Sequence, residues 1–100
     1  MTESSALRAL SSPARQEIIR LVWEAERPST AIAESVGLTR PATSQHLKVL
    51  RDAGLVDQRV DGNQRLYRAN QERLAELRSF IDGFWAESLD RLDDALGDMG

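Results

Sequence analysis

One short stretch of the sequence limits the possible folds more than any other: Ile32-Ala33-Glu34-Ser35-Val36-Gly37-Leu38. Two helices that cross closely need a small residue at their contact, which Ala33 supplies. The turn between them needs a residue that readily adopts a positive φ, and Gly37 supplies it four positions later. With Leu38 filling the angle between the helices, this spacing predicts a helix-turn-helix over about residues 29–53. A plain helical corner is the alternative interpretation, because a small residue and a glycine at this spacing are common.

Two helices are predicted before this stretch. Ser11-Ser12-Pro13 predicts a helix start, because serine caps helices and proline is tolerated in the first turn. Apolar residues then recur at helical spacing from Ala14 to Ala25, which predicts a helix that continues toward Pro28. Leu7 and Leu10 indicate a shorter helix before it.

The helix-turn-helix itself has its own start and stop signals. Ser29 is expected to cap a helix over residues 30–36, which Gly37 ends. Thr39 is expected to cap the next helix, which has proline in its first turn, runs to about Ala53 and ends at Gly54.

The period of the pattern then changes from helical to extended and back. Leu55–Val60 and Gln64–Ala69 are short and contain valine, leucine and tyrosine, so they predict two strands joined by a three-residue tip, Asp61-Gly62-Asn63. This wing covers about residues 55–69. From about residue 70 to 96 an apolar stripe at helical spacing predicts one long helix. The predicted fold is mainly α with a small β-hairpin, in the order α-α-α-α-β-β-α, a winged helix-turn-helix.

Composition supports one domain over residues 1–100. The chain contains no cysteine, which excludes disulfides and thiolate metal sites. No apolar run approaches the ~18 residues of a membrane span, and the first residues do not have the pattern of a secretion signal, so we expect a cytoplasmic protein.

The distribution of charge favours a nucleic-acid partner despite the net charge of −3. Residues 40–68 contain six basic and three acidic residues, whereas residues 70–100 contain three basic and eight acidic ones. A protein that binds a polyanion with one face needs only that face to be positive.

The second helix of the helix-turn-helix has an outward face suited to DNA. Leu47 and Leu50 are expected to point to the core with Val49 beside them, and the remaining positions carry side chains that hydrogen-bond to base edges and phosphates: Arg40, Ser44, Gln45 and Lys48. The wing places four more such side chains around its tip: Arg59, Asn63, Gln64 and Arg65. An ordinary solvated hairpin is the alternative interpretation of these wing arginines.

Three segments together resemble the ArsR/SmtB family of winged-helix repressors: Leu10–Arg15 before an apolar helix, Arg40–Val56, and Arg65-Leu-Tyr-Arg68 in the hairpin. The resemblance covers about residues 5–96. It implies a homodimer that binds an inverted-repeat operator in double-stranded DNA and represses transcription, usually of its own operon. It also implies that Ser44 and Gln45 read bases with Arg40, His46 and Lys48 nearby, and that Arg59, Arg65 and Arg68 belong to the wing.

The chain departs from this family where its metal sensors bind their ions. The thiolate pair of those sensors would fall at about residues 28–30, and this chain has no cysteine. The other common site uses histidine and carboxylates on the last helix, where this chain has no histidine but five acidic residues of the kind usually found on a solvated face: Asp82, Glu87, Asp90, Asp93 and Asp94. Because zinc and softer metals prefer sulfur and nitrogen ligands, we expect no metal and no other cofactor.

His46 is the only histidine in the chain, and three roles for it stay open. It could contact DNA, pack at the edge of its helix, or act as a pH-sensitive group.

The long last helix is the expected dimer interface. It contains Phe80, Phe84 and Trp85, and one domain of this size does not easily cover both sides of such a helix, so the same helix of a second copy is the natural partner. The predicted interface residues are Leu7, Leu10, Leu77, Phe80, Ile81, Phe84, Trp85, Leu89 and Leu92. The alternative is that the stripe only closes the monomer core.

Other function classes fit less well. We expect no enzyme, because the chain lacks a phosphate-binding glycine loop, paired histidines and any nucleophile with a base at recognisable spacing. A winged-helix module for protein–protein contact stays open, as does a regulator with a small-molecule site at the dimer interface near Trp23 and Trp85.

Overall fold

Four short helices, a small antiparallel sheet and one long helix make up the computed structural model, which describes residues 3–97. The helices are α1 (Glu3–Ala9), α2 (Pro13–Leu21), α3 (Ser29–Val36), α4 (Arg40–Asp52) and α5 (Gln71–Gly97). The strands are β1 (Arg27–Pro28), β2 (Val56–Asp61) and β3 (Gln64–Ala69). The predicted mainly α fold with a hairpin between the fourth helix and the last one is confirmed.

The core lies between the first four helices and the inner face of the sheet. Its largest fully buried apolar side chains come from α2 and the residue after it, from α3, α4 and α5, and from the chain leading into and forming β2: Ile18, Val22, Ile32, Leu47, Leu50, Leu55, Val56 and Leu77. Ala6 and Ala9 of α1 are buried against this cluster. The inward side chains of α4 are therefore held by several neighbouring elements.

Two of the predicted helix caps are confirmed and one is wrong. Ser12 Oγ accepts a hydrogen bond from the Arg15 amide at 3.3 Å, and Thr39 Oγ1 accepts one from the Ala42 amide at 3.2 Å. Ser29 is not a cap but the first residue of α3, because Pro28 occupies the cap position with extended backbone and makes no side-chain capping bond.

The sheet has a third strand that the sequence pattern did not predict. Strand β1 pairs antiparallel with β3, giving the order β1-β3-β2. Helix α2 accordingly ends at Leu21 rather than near Ala25, because the Val22 carbonyl accepts a hydrogen bond from the Ala69 amide of β3 at 2.9 Å. The chain must leave the helix there to run along the sheet, where proline is tolerated on an edge strand.

The wing tip is shorter than predicted. Strands β2 and β3 stay paired up to Asp61 and Gln64, which leaves a two-residue turn of Gly62 and Asn63. Gly62 has a φ of +61°, and no non-glycine residue in the described part has a positive φ, so Asn63 does not share this conformation. A positive φ at the first position alone is the pattern of a type II′ hairpin turn.

Helix α5 leaves the body after its first turns. Asn70 Oδ1 caps it by accepting from the Arg73 amide at 2.9 Å, and its 27 residues extend about 40 Å. Only Leu77 of α5 is buried, and its contacts are to the core of the same chain. The assignment of Leu77 to a subunit interface is therefore wrong, because a side chain that is 1% exposed has no surface left for a partner.

Candidate nucleic-acid interface

The turn between α3 and α4 has the geometry that its sequence predicted. Gly37 adopts a left-handed conformation with a φ of +70°, and the Leu38 amide donates back to the Ala33 carbonyl at 3.1 Å. Ala33 is buried and Leu38 is half-buried. Because the backbone reverses within these few residues, α4 begins at a defined angle to α3.

Helix α4 has one anchored face and one free face. Leu47 and Leu50 are fully buried, and Thr43 is buried with its hydroxyl donating to the Thr39 carbonyl at 2.8 Å. The outward face is exposed and carries Arg40, Ser44, Gln45 and Lys48. The predicted division of this helix between core and surface is confirmed.

Three of the outward side chains are available to a ligand. The side chains of Arg40, Ser44 and Gln45 make no hydrogen bond or ion pair to any of residues 3–97. Lys48 differs, because its Nζ lies 2.7 Å from Asp52 Oδ2, one helical turn away. Both members of that pair are exposed, so the interaction is weak and a phosphate oxygen could replace the Asp52 carboxylate.

His46 lies at the edge of this face and is held by α2. Its Nδ1 accepts a hydrogen bond from Arg15 Nη1 at 3.3 Å, which leaves Nε2 for the ring proton. Arg15 also donates through Nε to the Ala9 carbonyl at 2.6 Å and through Nη2 to the Arg8 carbonyl at 3.3 Å. The ring is therefore linked to the end of α1, and the sequence pattern alone did not indicate Arg15 as its partner.

The wing arginines differ in their freedom. Arg59 Nε lies 3.2 Å from Glu26 Oε2, and Arg59 Nη2 contacts the other carboxylate oxygen. This hydrogen bonding lowers the pKa of Glu26, with a further contribution from the charges of Arg59 and Arg68. The Arg65 side chain makes no hydrogen bond or ion pair within the described residues. The charge of Arg59 is therefore neutralised by Glu26, whereas the Arg65 side chain is free near the tip of the wing.

A small cleft of about 240 Å³ separates the wing tip from the start of α3. It is lined by Asn63, Gln64 and Arg65, which were predicted, and by Pro28, Ser29 and Thr30, which were not. The sequence signal for these residues was ambiguous, because a serine and a threonine before a helical pattern are usually capping residues.

The residues predicted for subunit contact lie in two settings. Leu7 and Leu10 at the end of α1 are half-buried, and Leu10 packs against the core. Ile81 is half-buried, and the remaining predicted residues, Phe80, Phe84, Trp85, Leu89 and Leu92, are exposed on α5 beyond the body. Leu96 extends the same exposed surface.

Metal ligands are not brought together anywhere in residues 3–97. That part of the chain holds no group of three or more histidine, cysteine, aspartate or glutamate side chains able to bind an ion. None of its helices is both long enough and apolar enough to cross a membrane.

Comparison with known proteins identifies the family. The family model described as bacterial regulatory protein, arsR family, matches residues 12–58, from the cap of α2 into β2. The HTH-type transcriptional regulator Rv2034 of Mycobacterium tuberculosis (strain H37Rv) is 36% identical over 96 residues, an alignment that covers 93% of this chain and 90% of that protein. The chain belongs to the ArsR family of bacterial regulatory proteins.

Other relatives agree with this placement of the ArsR-family protein. A probable mercury resistance operon repressor of Streptomyces lividans is 34% identical over 76 residues, covering 76% of this chain and 61% of that protein. The NMR structure of a homodimeric winged helix-turn-helix DNA-binding domain of Mycobacterium bovis, a possible ArsR-family regulator, has a TM-score of 0.69 and 30% identity, covering 88% of this chain and 82% of that one. The resemblance seen in the sequence is confirmed, and the relatives are transcriptional regulators rather than enzymes.

Proposed function

We propose that this ArsR-family protein is a homodimeric, cytoplasmic transcriptional repressor that binds an inverted repeat in double-stranded DNA and does not respond to a metal. The observation that carries the proposal is the outward face of α4. The side chains of Arg40, Ser44 and Gln45 are exposed and have no partner within residues 3–97, while the opposite face of the helix is anchored in the core. A rigid helix with free hydrogen-bonding side chains is suited to the major groove.

The wing supplies the second part of the proposed interface. Arg65 is free near the tip, and Asn63 and Gln64 are exposed beside it. Arg68 lies further back on the outer side of β3. Such side chains contact the DNA backbone or minor groove beside the site that α4 reads.

The homodimer is supported by the exposed apolar surface of α5. Five large apolar side chains beyond the body, Phe80, Phe84, Trp85, Leu89 and Leu92, are each about half exposed in the single chain. Surfaces of this kind on soluble proteins mark interaction sites, and the M. bovis relative is a homodimer. A two-fold dimer would set two α4 helices about 34 Å apart, one turn of B-DNA, which requires a palindromic site.

Independence from metals rests on ligand chemistry. A sensor of zinc or of softer ions needs thiolate or imidazole ligands, and this chain has no cysteine and one histidine, which lies on α4. The mercury resistance repressor among the relatives shares the family with this chain, but the cysteine-free sequence gives mercury no thiolate to bind.

Fluorescence anisotropy with labelled duplexes tests the proposal. The probe is the inverted repeat from the DNA flanking the gene, and the control is a scrambled duplex of the same length. We expect specific binding whose affinity falls steeply with salt, because arginines on α4 and the wing displace counterions from phosphates. No binding to either duplex, or binding that does not depend on salt, would instead favour a protein–protein interaction module. Equal, salt-dependent binding to both duplexes would contradict the sequence-specific repressor.

A further inference from the structure

A groove opens at the corner where α1, α2 and β1 meet. Its floor is apolar, with Leu10, Ile19, Leu21 and Trp23, and its volume is about 750 Å³. Trp23 is 38% exposed in the single chain. Nothing in the proposed DNA contact uses this corner groove.

The rim of the corner groove is basic. Arg20 and Arg27 lie on it together with a single acid, Glu24. Within residues 3–97 the Arg20 side chain pairs only with the exposed Glu17, and Arg27 donates to the Leu21 carbonyl at 3.4 Å. The groove therefore suits a segment that is apolar in the middle and acidic at its edge.

The distal end of α5 has this composition. With 3.6 residues per turn, Leu89, Leu92 and Leu96 lie on one stripe of the helix with Asp93 beside it. All three leucines are more than half exposed. Asp93 forms no ion pair within the described residues, unlike Glu87, which is paired with Arg91 at 2.6 Å.

The start of α5 lies next to the corner groove. Gln71, its first residue, donates through Nε2 to the Trp23 carbonyl at 2.8 Å. If two copies of α5 pack antiparallel about the aromatic residues in their middle, the end of one helix lies beside the start of the other. The end of the partner's helix then reaches Trp23.

We propose that the corner groove of each protomer receives the distal end of α5 from the second copy, with leucines on the apolar floor and Asp93 against the arginine rim. This inference rests on the proposed homodimer and adds a second contact to it, made twice by the two-fold symmetry. Because the groove is built from α2 and the strand that leads into α3, the contact would connect the helix-turn-helix of each protomer (α3 and α4) to the opposite protomer and hold the two α4 helices at their spacing.

Cross-linking between copies tests the contact. Because the chain has no native cysteine, only the introduced cysteines can react. One copy carries Glu24→Cys and a differently tagged copy carries Asp93→Cys. A short bis-maleimide should give the mixed covalent dimer with this pair. The matched control replaces Glu24→Cys by Asp61→Cys at the exposed wing tip, and this pair should give no mixed product.

Accessibility of Trp23 gives a second readout. In a Trp85→Phe variant, Trp23 is the only tryptophan. We expect acrylamide to quench its fluorescence several-fold less in the dimer than after dilution into monomers. A dimer in which Trp23 stays accessible and the Glu24/Asp93 pair gives no product would overturn the inference. The homodimer would still stand, and the groove would then be a candidate site for a small molecule or another segment. A monomer at all concentrations would overturn both.

Discussion

Arg15 Nη1 donates to Nδ1 of His46 at 3.3 Å, which ties α2 to the edge of the reading face of α4. The same guanidinium holds the carbonyls of Ala9 and Arg8 at the end of α1, the helix that packs on α5. One side chain thus connects the element next to the proposed dimer helix with the element proposed to read DNA.

We expect this link to position α4, so that breaking it weakens operator binding from either end. Arg15→Met and His46→Leu should each reduce operator affinity about threefold to tenfold, the net effect of about one ordinary hydrogen bond. His46→Asn should retain most of the affinity, because its amide oxygen can accept from Arg15 in place of Nδ1. Anisotropy at constant salt measures the effect.

A double variant separates this role from direct DNA contact. If Arg15 and His46 act through each other, Arg15→Met combined with His46→Leu should cost no more than either change alone. A phosphate contact through Nε2 would show the opposite pattern: His46→Asn and His46→Leu would weaken binding alike, and Arg15→Met would leave it unchanged.

Gln45 is expected to read a base. Its side chain is exposed on α4 and free within residues 3–97, so Gln45→Ala should cost about 1–3 kcal/mol at one operator position and relax the preference there. Affinities for operators with each base at each position give the measurement. Ser79→Ala, on the exposed surface of α5, is the control and should leave the base preferences unchanged. Unaltered specificity in the Gln45→Ala variant would show that Gln45 does not read a base.

Leu77 and Phe84 lie on the same helix, but we expect their replacement to have different effects on stability and on dimer formation. Leu77→Ala opens a cavity in the core of the single chain and should lower the free energy of unfolding by about 2–5 kcal/mol. Phe84→Asp changes an exposed side chain, so we expect it to keep the fold and to lose the dimer and operator binding. Circular dichroism and sedimentation make the comparison, and a Phe84→Asp protein that stays dimeric would place the interface elsewhere.

Gly37 is expected to stabilise the fold only through its backbone conformation, which is left-handed. An added Cβ would meet no atom within 4 Å, so the cost of Gly37→Ala is the left-handed conformation itself, roughly 1–2 kcal/mol of unfolding free energy. Gly83 is the matched control, because it is a helical glycine where an added Cβ would also meet no atom within 4 Å in the single chain. Gly83→Ala should stabilise the protein by about 0.5–1 kcal/mol. Equal effects of the two changes in denaturant titrations would contradict this account of the turn.

Glu26 is expected to limit the positive charge of the wing. Glu26→Gln removes the carboxylate that holds Arg59, so Arg59 becomes available to a phosphate and the salt dependence of DNA binding should steepen by about one counterion. Arg59→Gln is the control and should not steepen it. An unchanged slope in Glu26→Gln would mean that Arg59 does not reach DNA.

The same pair predicts a pH dependence of stability. Hydrogen bonding to Arg59 lowers the pKa of Glu26 below its ordinary value of 4.5. A lowered carboxyl pKa contributes stability above the ordinary pKa, and this contribution is lost as the pH falls through the folded-state value. The difference in melting temperature between the parent protein and Glu26→Gln should therefore be largest near neutral pH and shrink below about pH 4; a difference independent of pH would contradict the pairing.

Local chemistry in the sequence determined most of the secondary structure. The positive φ of Gly37 and the caps by Ser12 and Thr39 depend on neighbours within a few residues, so their patterns could be interpreted directly. The burial of Leu47 and Leu50 on one face of α4 followed from helical periodicity in the same way.

Contacts between distant residues were decided only by the tertiary structure. Strand β1 forms because it can pair with the edge of β3, about 40 residues later in the chain. This pairing also ends α2 earlier than predicted and leaves Pro28, rather than Ser29, at the cap position of α3. Arg15 and His46, or Glu26 and Arg59, meet because their elements pack together. Leu77 and Phe84 are both apolar and lie seven residues apart on α5, so helical periodicity places them on the same face and could not separate them. Leu77 is buried because it lies in the part of α5 that still contacts the body, whereas Phe84 lies beyond it.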